Sequence, residues 1–332
     1  MEDTGRPAQN SGGVYNLPKG ILIAGAAKSG TTALFYAIQN ALSVELNVSV
    51  EGLFEPHSKD VKSYCQNDPD KVRLVKMLLG PLLRRGFDFG DSFDKKLLVF
   101  RDPRDNVVSR IHFMVKRIVS SGERDKVQQI LQLFVEKEQK PDEVGVLSVL
   151  RAFERISGRD GLAENVRANS LLPARFLRSH GDSFFVIPYD ELVGGHFERL
   201  SEYLGFKVPS DFQVAGKHAH IVRSRTSGAW RDWFLDEDTQ FFAKDVADDF
   251  RFLGFDPNAT PNFKRQVDPE KTSAYVNSIF NWVEDNLSGK GRRRLNKPLR
   301  QAERAARMDD GARRARKRAK NALRAERHLQ QG

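Results

Sequence analysis

The amino-acid sequence predicts an α/β protein of three layers, α/β/α, in which helices cover both faces of a central parallel β-sheet. Short apolar runs typical of buried parallel strands alternate along the chain with segments of helical periodicity. With 332 residues, 39% of them hydrophobic, and 23 phenylalanines, the chain can bury a sizeable core. Ligands of such sheets bind beyond the carboxyl ends of the strands, so the loops that follow the strands are the expected functional sites.

The first predicted strand, residues 21–24, leads through a glycine-rich loop into a helix that begins at Thr31. At such a junction the free backbone N–H groups and the positive end of the helix dipole converge on one point. The junction therefore predicts a site for a phosphate or sulfate oxygen. A glycine-rich turn with a purely structural role is the alternative.

The loop differs from the P-loop pattern GxxxxGK[ST] in the position of its lysine. Gly25 and Gly30 have the separation of that pattern, but Thr31 follows Gly30, and Lys28 lies inside the loop. We expect Lys28 beside the bridging oxygen of a shorter phosphate chain, where leaving-group charge develops.

The next predicted elements are a strand at residues 44–50, a loop at 51–70 and a strand at 72–79. The loop contains Glu55, Pro56 and His57, and Pro56 predicts an extended backbone at Glu55. Lys76 lies near the end of the third strand. A carboxylate and a lysine are thus expected near the ends of neighbouring strands.

A further apolar strand, residues 97–100, is followed at once by Arg101, and Pro103 suits the first turn of the next helix. This is a second strand-to-helix junction. Because Arg101 lies in the loop directly after a buried strand, a functional role is favoured over a purely structural one. Arg104 and Asp105 are expected to be a solvated helix start.

The second half of the chain is predicted to be mostly helical. Residues 122–179 form helices with breaks near Pro141 and Gly158, residues 183–187 form a strand, and residues 191–204 form a helix that Gly205 ends. Residues 209–225 look irregular, and a helix that Trp230 opens is expected to pack on the sheet. Residues 252–271 are expected to form a trailing loop.

Charge and cysteine content restrict the function classes. Residues 290–332 contain sixteen Lys or Arg and four Asp or Glu, so this tail has a net charge of +12. Because the whole chain has a net charge of +10, residues 1–289 have a net charge of −2. We therefore expect a flexible leader at 1–18, one domain at 19–289 that does not bind nucleic acid, and a basic tail at 290–332. The tail is either a solvated arm or a binding segment for an anionic membrane surface, RNA or another polyanion.

The single cysteine, Cys65, excludes an intramolecular disulfide and a zinc site of several cysteines. The sequence contains no apolar run of about 20 residues, and its first residues lack the apolar segment of a signal peptide. We expect a cytoplasmic protein, at most peripheral to a membrane, that uses no metal.

Three separated stretches resemble one family, the sulfotransferases that use 3′-phosphoadenosine 5′-phosphosulfate (PAPS). Residues 27–32, AKSGTT, resemble the family's 5′-phosphosulfate loop; residues 100–109, FRDPRDNVVS, resemble its 3′-phosphate-binding strand and helix; and residues 223–230, RSRTSGAW, resemble its late R-x-x-x-x-G-x-W segment. The stretches YDEL at 189–192 and YLGF at 203–206 are also similar to family stretches. The resemblance implies a P-loop NTPase-like sulfotransferase fold.

The resemblance also implies roles for particular residues. Lys28, Ser29, Gly30, Thr31 and Thr32 would hold the 5′-phosphosulfate. The 3′-phosphate would be held by Arg101, Ser109, Arg223, Ser224 and Arg225, since the planar fork of arginine suits phosphate. Many members have a tryptophan where this chain has Ala33, so the adenine would lie against Tyr189 or Trp230, although a core position is the preferred interpretation of Trp230.

The catalytic base is assigned to Glu55, with His57 as the second choice. Many small-molecule members carry a K-x-H segment, but residues 76–78 read KML and contain no histidine. Glu55 is similar to the glutamate base of the glycan-modifying branch, and Lys76 is a candidate for an additional sulfate contact. Alternatively, Glu55 and His57 are simply exposed loop residues.

The sequence thus predicts an enzyme that moves the sulfuryl group from PAPS to a hydroxyl or amine, on a carbohydrate or glycolipid. Two alternatives stay open. One is a P-loop nucleotide kinase or NTPase, against which the missing lysine after Gly30 argues. The other is a non-enzymatic RNA- or polyanion-binding protein that uses the basic tail.

Overall fold

The computed structural model describes residues 17–56, 70–85, 92–119, 123–214 and 226–286. Its centre is a sheet of five strands in the order β2-β3-β1-β4-β5, and every pairing is parallel. The strands are β1 (Gly20–Gly25), β2 (Val50–Phe54), β3 (Val72–Leu78), β4 (Lys95–Phe100) and β5 (Phe185–Pro188). The parallel sheet predicted from the sequence is confirmed.

Helices connect and flank these strands within the described residues. They are α1 (Thr31–Asn40), α2 (Leu79–Arg85), α3 (Pro103–Val119), α4 (Arg124–Gln139), α5 (Val146–Ser157), α6 (Leu162–Ser170), α7 (Leu172–His180), α8 (Tyr189–Gly194), α9 (Glu198–Leu204), α10 (Trp230–Trp233), α11 (Asp236–Ala243), α12 (Ala247–Phe252) and α13 (Ser273–Asn286). No helix in this part of the chain combines the length and the apolar character that crossing a bilayer requires.

The side chains of β1 alternate between two hydrophobic cores, because successive residues of a strand point to opposite faces. Ile21 and Ile23 pack with residues of α1, α8 and α9 on one face of the sheet. Leu22 and Ala24 pack with residues of α2 and α7 on the other face. Helices therefore cover both faces, which confirms the three-layer arrangement.

Strand β1 lies in the middle of the sheet, between β3 and β4. The chain passes from β1 to the β2–β3 side and then crosses to β4 on the other side. Such a reversal of strand order opens a crevice at the carboxyl end of the central strand. The glycine-rich loop that follows β1 begins at this crevice.

A third hydrophobic core lies away from the sheet, in a helical body formed by α3–α6, α10, α11 and α13. Trp230, Trp233, Phe234 and Phe242 belong to it. The prediction that the Trp230 segment packs on the sheet is therefore wrong. Its aromatic residues bury their surface against other helices, and the segment forms three short helices rather than one.

Two other predicted boundaries are wrong. Residues 41–45 continue α1 as one π-helical turn that buries Leu42 in the core beneath α1, and the second strand begins only at Val50. The helix predicted at 191–204 is two helices, because Gly195, at φ 70°, ends α8 in the left-handed conformation. The strand at 72–79, the helix from Pro103 and the breaks near Pro141 and Gly158 are confirmed.

Candidate active site

A cavity of about 210 Å³ lies at the carboxyl edge of the sheet. It is bordered by the ends of β2, β3 and β4 and by the starts of α1 and α8. The sequence-predicted residues that line it are Lys28, Gly30, Thr31, Thr32, Glu55, Lys76, Arg101, Ser109 and Tyr189. The two junctions that carry Lys28 and Arg101 therefore open into one cavity.

The loop between β1 and α1 requires both of its flanking glycines. A Cβ on Gly25 would lie 2.6 Å from the Thr31 side chain and 2.7 Å from the Val99 carbonyl oxygen. Gly30 has φ 100°, and its Cβ would lie 2.7 Å from Leu192 of α8. These contacts give the glycines a structural role, and they also hold the first turn of α1 against the cavity.

Ser29 shapes the loop from inside. Its hydroxyl donates to the Ala26 carbonyl at 2.7 Å, its N–H donates to the same oxygen at 3.2 Å, and the side chain is fully buried. The structure thus turns Ser29 away from the cavity, whereas Thr31 and Thr32 lie on its wall.

Lys28 adopts the left-handed backbone conformation, with φ 70°. Its ammonium lies 4.9 Å from the ring centroid of Phe113, and both residues line the cavity. An ammonium over an aromatic face is attracted by the ring. The lysine inside the loop is therefore directed toward α3.

Glu55 and Lys76 form an ion pair across the ends of β2 and β3. The Lys76 ammonium donates to the Glu55 carboxylate and lies 3.9 Å from the ring centroid of Phe54. Burial lowers the pKa of Lys76, and the nearby Glu55 carboxylate partly opposes that effect. The Glu55 side chain is 43% exposed, so it can still contact another molecule.

The extended backbone predicted for Glu55 is wrong, because its φ is 54°. Its N–H donates to the Lys76 carbonyl at 2.9 Å, so the sheet ladder continues one residue past the strand. This bond and the ion pair with Lys76 hold Glu55 in a conformation that the local preference before Pro56 disfavours.

Arg101 directly follows β4 and is buried beside the cavity. Its Nη2 donates to the Thr226 carbonyl at 2.8 Å, and its guanidinium carbon lies 4.3 Å from the ring centroid of Tyr189. Ser109, on α3, is buried and lines the same cavity. Trp230 is buried in the helical body, in agreement with the core interpretation.

The expectation that Arg104 and Asp105 form a solvated helix start is wrong. Arg104 is buried, its guanidinium carbon lies 3.8 Å from the Trp230 ring centroid, and its Nη2 bonds to Asp102 at 2.8 Å. Asp105 is fully buried and accepts the N–H groups of Gly228 and Trp230. Gly228 and Trp230 are more than 120 residues away in sequence, so only the fold reveals these two partners.

Asn106 is a site residue that sequence reasoning missed. Its Nδ2 donates to the Ala27 carbonyl at 2.8 Å, so the first turn of α3 is bonded directly to the loop after β1. The signal that pointed to Arg101 was a polar residue directly after a buried strand, and Asn106 lies five residues further on, in the first turn of the helix that follows.

Four predicted site residues, His57, Arg223, Ser224 and Arg225, lie outside the described residues, as do Cys65, most of the leader and the basic tail. Their roles stay predictions. Within the described ranges, no group of three or more His, Cys, Asp or Glu side chains is arranged to hold a metal ion.

The fold and the cavity define a parallel α/β protein with a cationic site at the carboxyl edge of its sheet. No family model and no curated protein matches the chain. Among solved structures, the chain is similar to the crystal structure of mouse sulfotransferase SULT7A1 complexed with PAP, with 12% identity and a TM-score of 0.39 over 71% of this chain and 88% of that one. A likeness of this size assigns neither activity nor ligand to the chain.

Proposed function

We propose that the protein is a PAPS-dependent sulfotransferase that moves a sulfuryl group to an acceptor hydroxyl or amine. The observation that carries the proposal is that Lys28 and Arg101, at two separate strand-to-helix junctions, line one cavity. PAPS carries a 5′-phosphosulfate and a 3′-phosphate, so it needs two cationic sites on either side of one adenosine. The ordered motif resemblance in the sequence supports the same ligand.

The residues around the cavity suit the two ends of this nucleotide. Lys28, Thr31 and Thr32 offer an ammonium, hydroxyls and a helix N-terminus to the 5′-phosphosulfate. Arg101 and Ser109 offer a guanidinium and a hydroxyl to the 3′-phosphate. Bound PAPS supplies the sulfuryl group that is transferred.

Three charged side chains would then carry out the transfer. Lys28 stabilises the negative charge that develops on the bridging oxygen as the bond to sulfur breaks. Glu55 accepts the proton of the acceptor hydroxyl, with His57 as the alternative base. Lys76 lines the same cavity, so an anion bound there competes with Glu55 for the Lys76 ammonium and frees the carboxylate for its role.

The carbohydrate or glycolipid acceptor stays a prediction from the sequence. Phe54, Leu78 and Phe113 line the cavity together with the charged groups. Such a wall favours an acceptor that presents an apolar face beside its hydroxyl, as the C–H face of a sugar ring or the lipid part of a glycolipid does.

Calorimetric titration with adenosine 3′,5′-bisphosphate, compared with ATP and Mg²⁺, tests the nucleotide. Tight binding of the bisphosphate and weak binding of ATP is the expected result, whereas the reverse would favour the kinase or NTPase alternative. Transfer of labelled sulfate from PAPS to a panel of glycans, lipids and phenols then identifies the acceptor. A protein that binds polyanions only through its tail and transfers no sulfate would contradict the proposal.

The cytoplasmic location and the binding of the tail to an anionic membrane surface or polyanion also stay proposals. They rest on the composition of the chain and on the charge of residues 290–332. Deletion of the tail, followed by vesicle sedimentation with and without anionic lipid, tests the second of them.

A further inference from the structure

We propose that Asp105 is a positioning residue for the 3′-phosphate end of the cavity. It would act by fixing the direction of the Arg101 side chain and of residues 226–230, without itself contacting the nucleotide. The inference rests on the proposed function, because it assumes that Arg101 binds the 3′-phosphate of the nucleotide.

The Asp105 carboxylate holds a distant turn of the chain. One of its oxygens accepts the Gly228 N–H at 2.6 Å, and the other accepts the Trp230 N–H at 2.9 Å. Gly228 has φ 80°, which is a conformation that glycine adopts without strain. These two bonds, from one buried carboxylate of α3 to the N–H groups of Gly228 and Trp230, hold the turn against α3.

The same carboxylate also acts on Arg101. The Arg101 Nε lies 3.8 Å from an Asp105 oxygen, and Nη2 donates to the Thr226 carbonyl at 2.8 Å. The ring of Tyr189 covers the guanidinium face. Asp105 therefore attracts the Arg101 guanidinium directly and also holds the turn that follows Thr226. The contacts of both Nε and Nη2 of Arg101 thus depend on Asp105.

Positioning and simple charge predict opposite effects on phosphate binding. A negative charge near Arg101 repels a phosphate, so removal of that charge alone would tighten binding. If Asp105 positions Arg101, its removal lets the guanidinium adopt other rotamers, and binding weakens. The sign of the change therefore separates the two roles.

The test compares two nucleotides, adenosine 3′,5′-bisphosphate and AMP, which has the 5′-phosphate but no 3′-phosphate. We expect Asp105→Asn to weaken the bisphosphate roughly tenfold, the size of one lost charged hydrogen bond, and to leave AMP almost unchanged. Asp238→Asn is the matched control. Asp238 is also a fully buried carboxylate that accepts backbone N–H groups, but its partners are Val146, Leu147 and Leu235 of the helical body instead of the turn that follows Thr226.

A second variant keeps the test decisive if Asp105→Asn does not fold. Gly228→Ala strains the same turn, because a Cβ at φ 80° is unfavourable although the space around it is open. Gly205→Ala is its control. Gly205 has φ 83° and equally open space around it, but it lies at the end of α9 instead of in this turn. Only Gly228→Ala should weaken the bisphosphate selectively.

Tighter binding of the bisphosphate by Asp105→Asn, or equal weakening of both nucleotides, would overturn the inference. Selective weakening by Asp238→Asn or Gly205→Ala would overturn it as well. If the unmodified protein binds the bisphosphate no better than AMP, the proposed function fails at that point, and the two failures are thus distinguishable.

Discussion

Buried charges occur in two regions of this protein, and they differ in what they face. At the sheet edge, Lys76 pairs with a carboxylate that is partly exposed and borders the cavity. In the helical body, the Lys137 ammonium donates to the Pro141 carbonyl at 2.8 Å, and Asp238 accepts the N–H groups of Val146, Leu147 and Leu235. The hydrogen bonds of these two side chains thus go to backbone groups of the helical body and not to a group at the cavity.

The comparison shows that a perturbed pKa alone does not mark an active site. Burial lowers the pKa of Lys137 to about 8 and raises the pKa of Asp238, although neither side chain lines the cavity. Burial lowers the pKa of Lys76 as well. Lys76 differs from Lys137 because its partner, Glu55, is exposed and lines the cavity. We therefore expect substitutions at the sheet edge to change activity and those in the helical body to change stability.

The largest effect is expected for Lys28→Ala. Loss of the ammonium at the leaving-group oxygen should slow sulfate transfer by about 10²- to 10³-fold, the range found when one charge-stabilising donor is removed. The thermal midpoint should stay within one or two degrees of the original, on the order of a surface substitution. Sulfate transfer and thermal unfolding are measured on the same preparation.

Lys95→Ala is the matched control for Lys28→Ala. The Lys95 ammonium also lies over an aromatic ring, at 4.6 Å from the centroid of Tyr203, but it is at the opposite end of β4 from the cavity. Equal loss of activity in both variants would contradict the role of Lys28.

The next effect is expected for Glu55→Gln, which should lower kcat by about 10²-fold or more through loss of the base. Affinity for adenosine 3′,5′-bisphosphate should persist, because Glu55 does not hold the nucleotide. Glu51→Gln provides the control: Glu51 lies near the start of β2, whereas Glu55 follows the end of that strand, and Glu51 pairs with Arg73 of β3 at 3.3 Å. An unchanged kcat in Glu55→Gln would contradict the role of Glu55 as the base.

In the helical body, Asp238→Asn should lower the free energy of unfolding by about 2 kcal/mol, because the amide keeps only one acceptor oxygen and places its NH2 group against an N–H group of α5. Nucleotide affinity and kcat per folded molecule should not change. Denaturant unfolding and a titration of active sites measure the two quantities. A variant of normal stability with reduced activity would break the distinction between the two regions.

The smallest effect, expressed per unit of pH, is a pH dependence of stability. The pKa of Lys137 is about 8 in the folded protein and 10.5 in its ordinary state, so folding disfavours the protonated form. Between these values the unfolded chain binds more protons, and the contribution of Lys137 to the free energy of unfolding rises with pH, by at most about 1.4 kcal/mol per unit.

Lys137→Met removes this titration. The free energy of unfolding of the original protein, relative to that of the variant, should rise as the pH increases from 8 toward 10. Urea unfolding at several pH values measures it. A difference that is constant across this range would show that Lys137 has an ordinary pKa.

The local parts of the site could be predicted from the sequence. The glycine spacing around Lys28 and the arginine directly after an apolar run are properties of neighbouring residues, and they identified both junctions. The apolar runs also identified the parallel sheet, since each strand carries its own pattern. The second strand was misplaced because its residues are only half-buried and their pattern is weak.

The sequence by itself determined where the two cationic junctions lie along the chain and that each follows a strand of a parallel sheet. Only the tertiary structure decided that Asp105 is buried beneath Gly228, 123 residues away, that Arg104 covers Trp230, and that Glu55 adopts a left-handed conformation to pair with Lys76. The physical reason is the range of the contacts. Local preferences set strands, turns and helix starts, whereas the burial and partners of a charge depend on the segments that the fold brings against it.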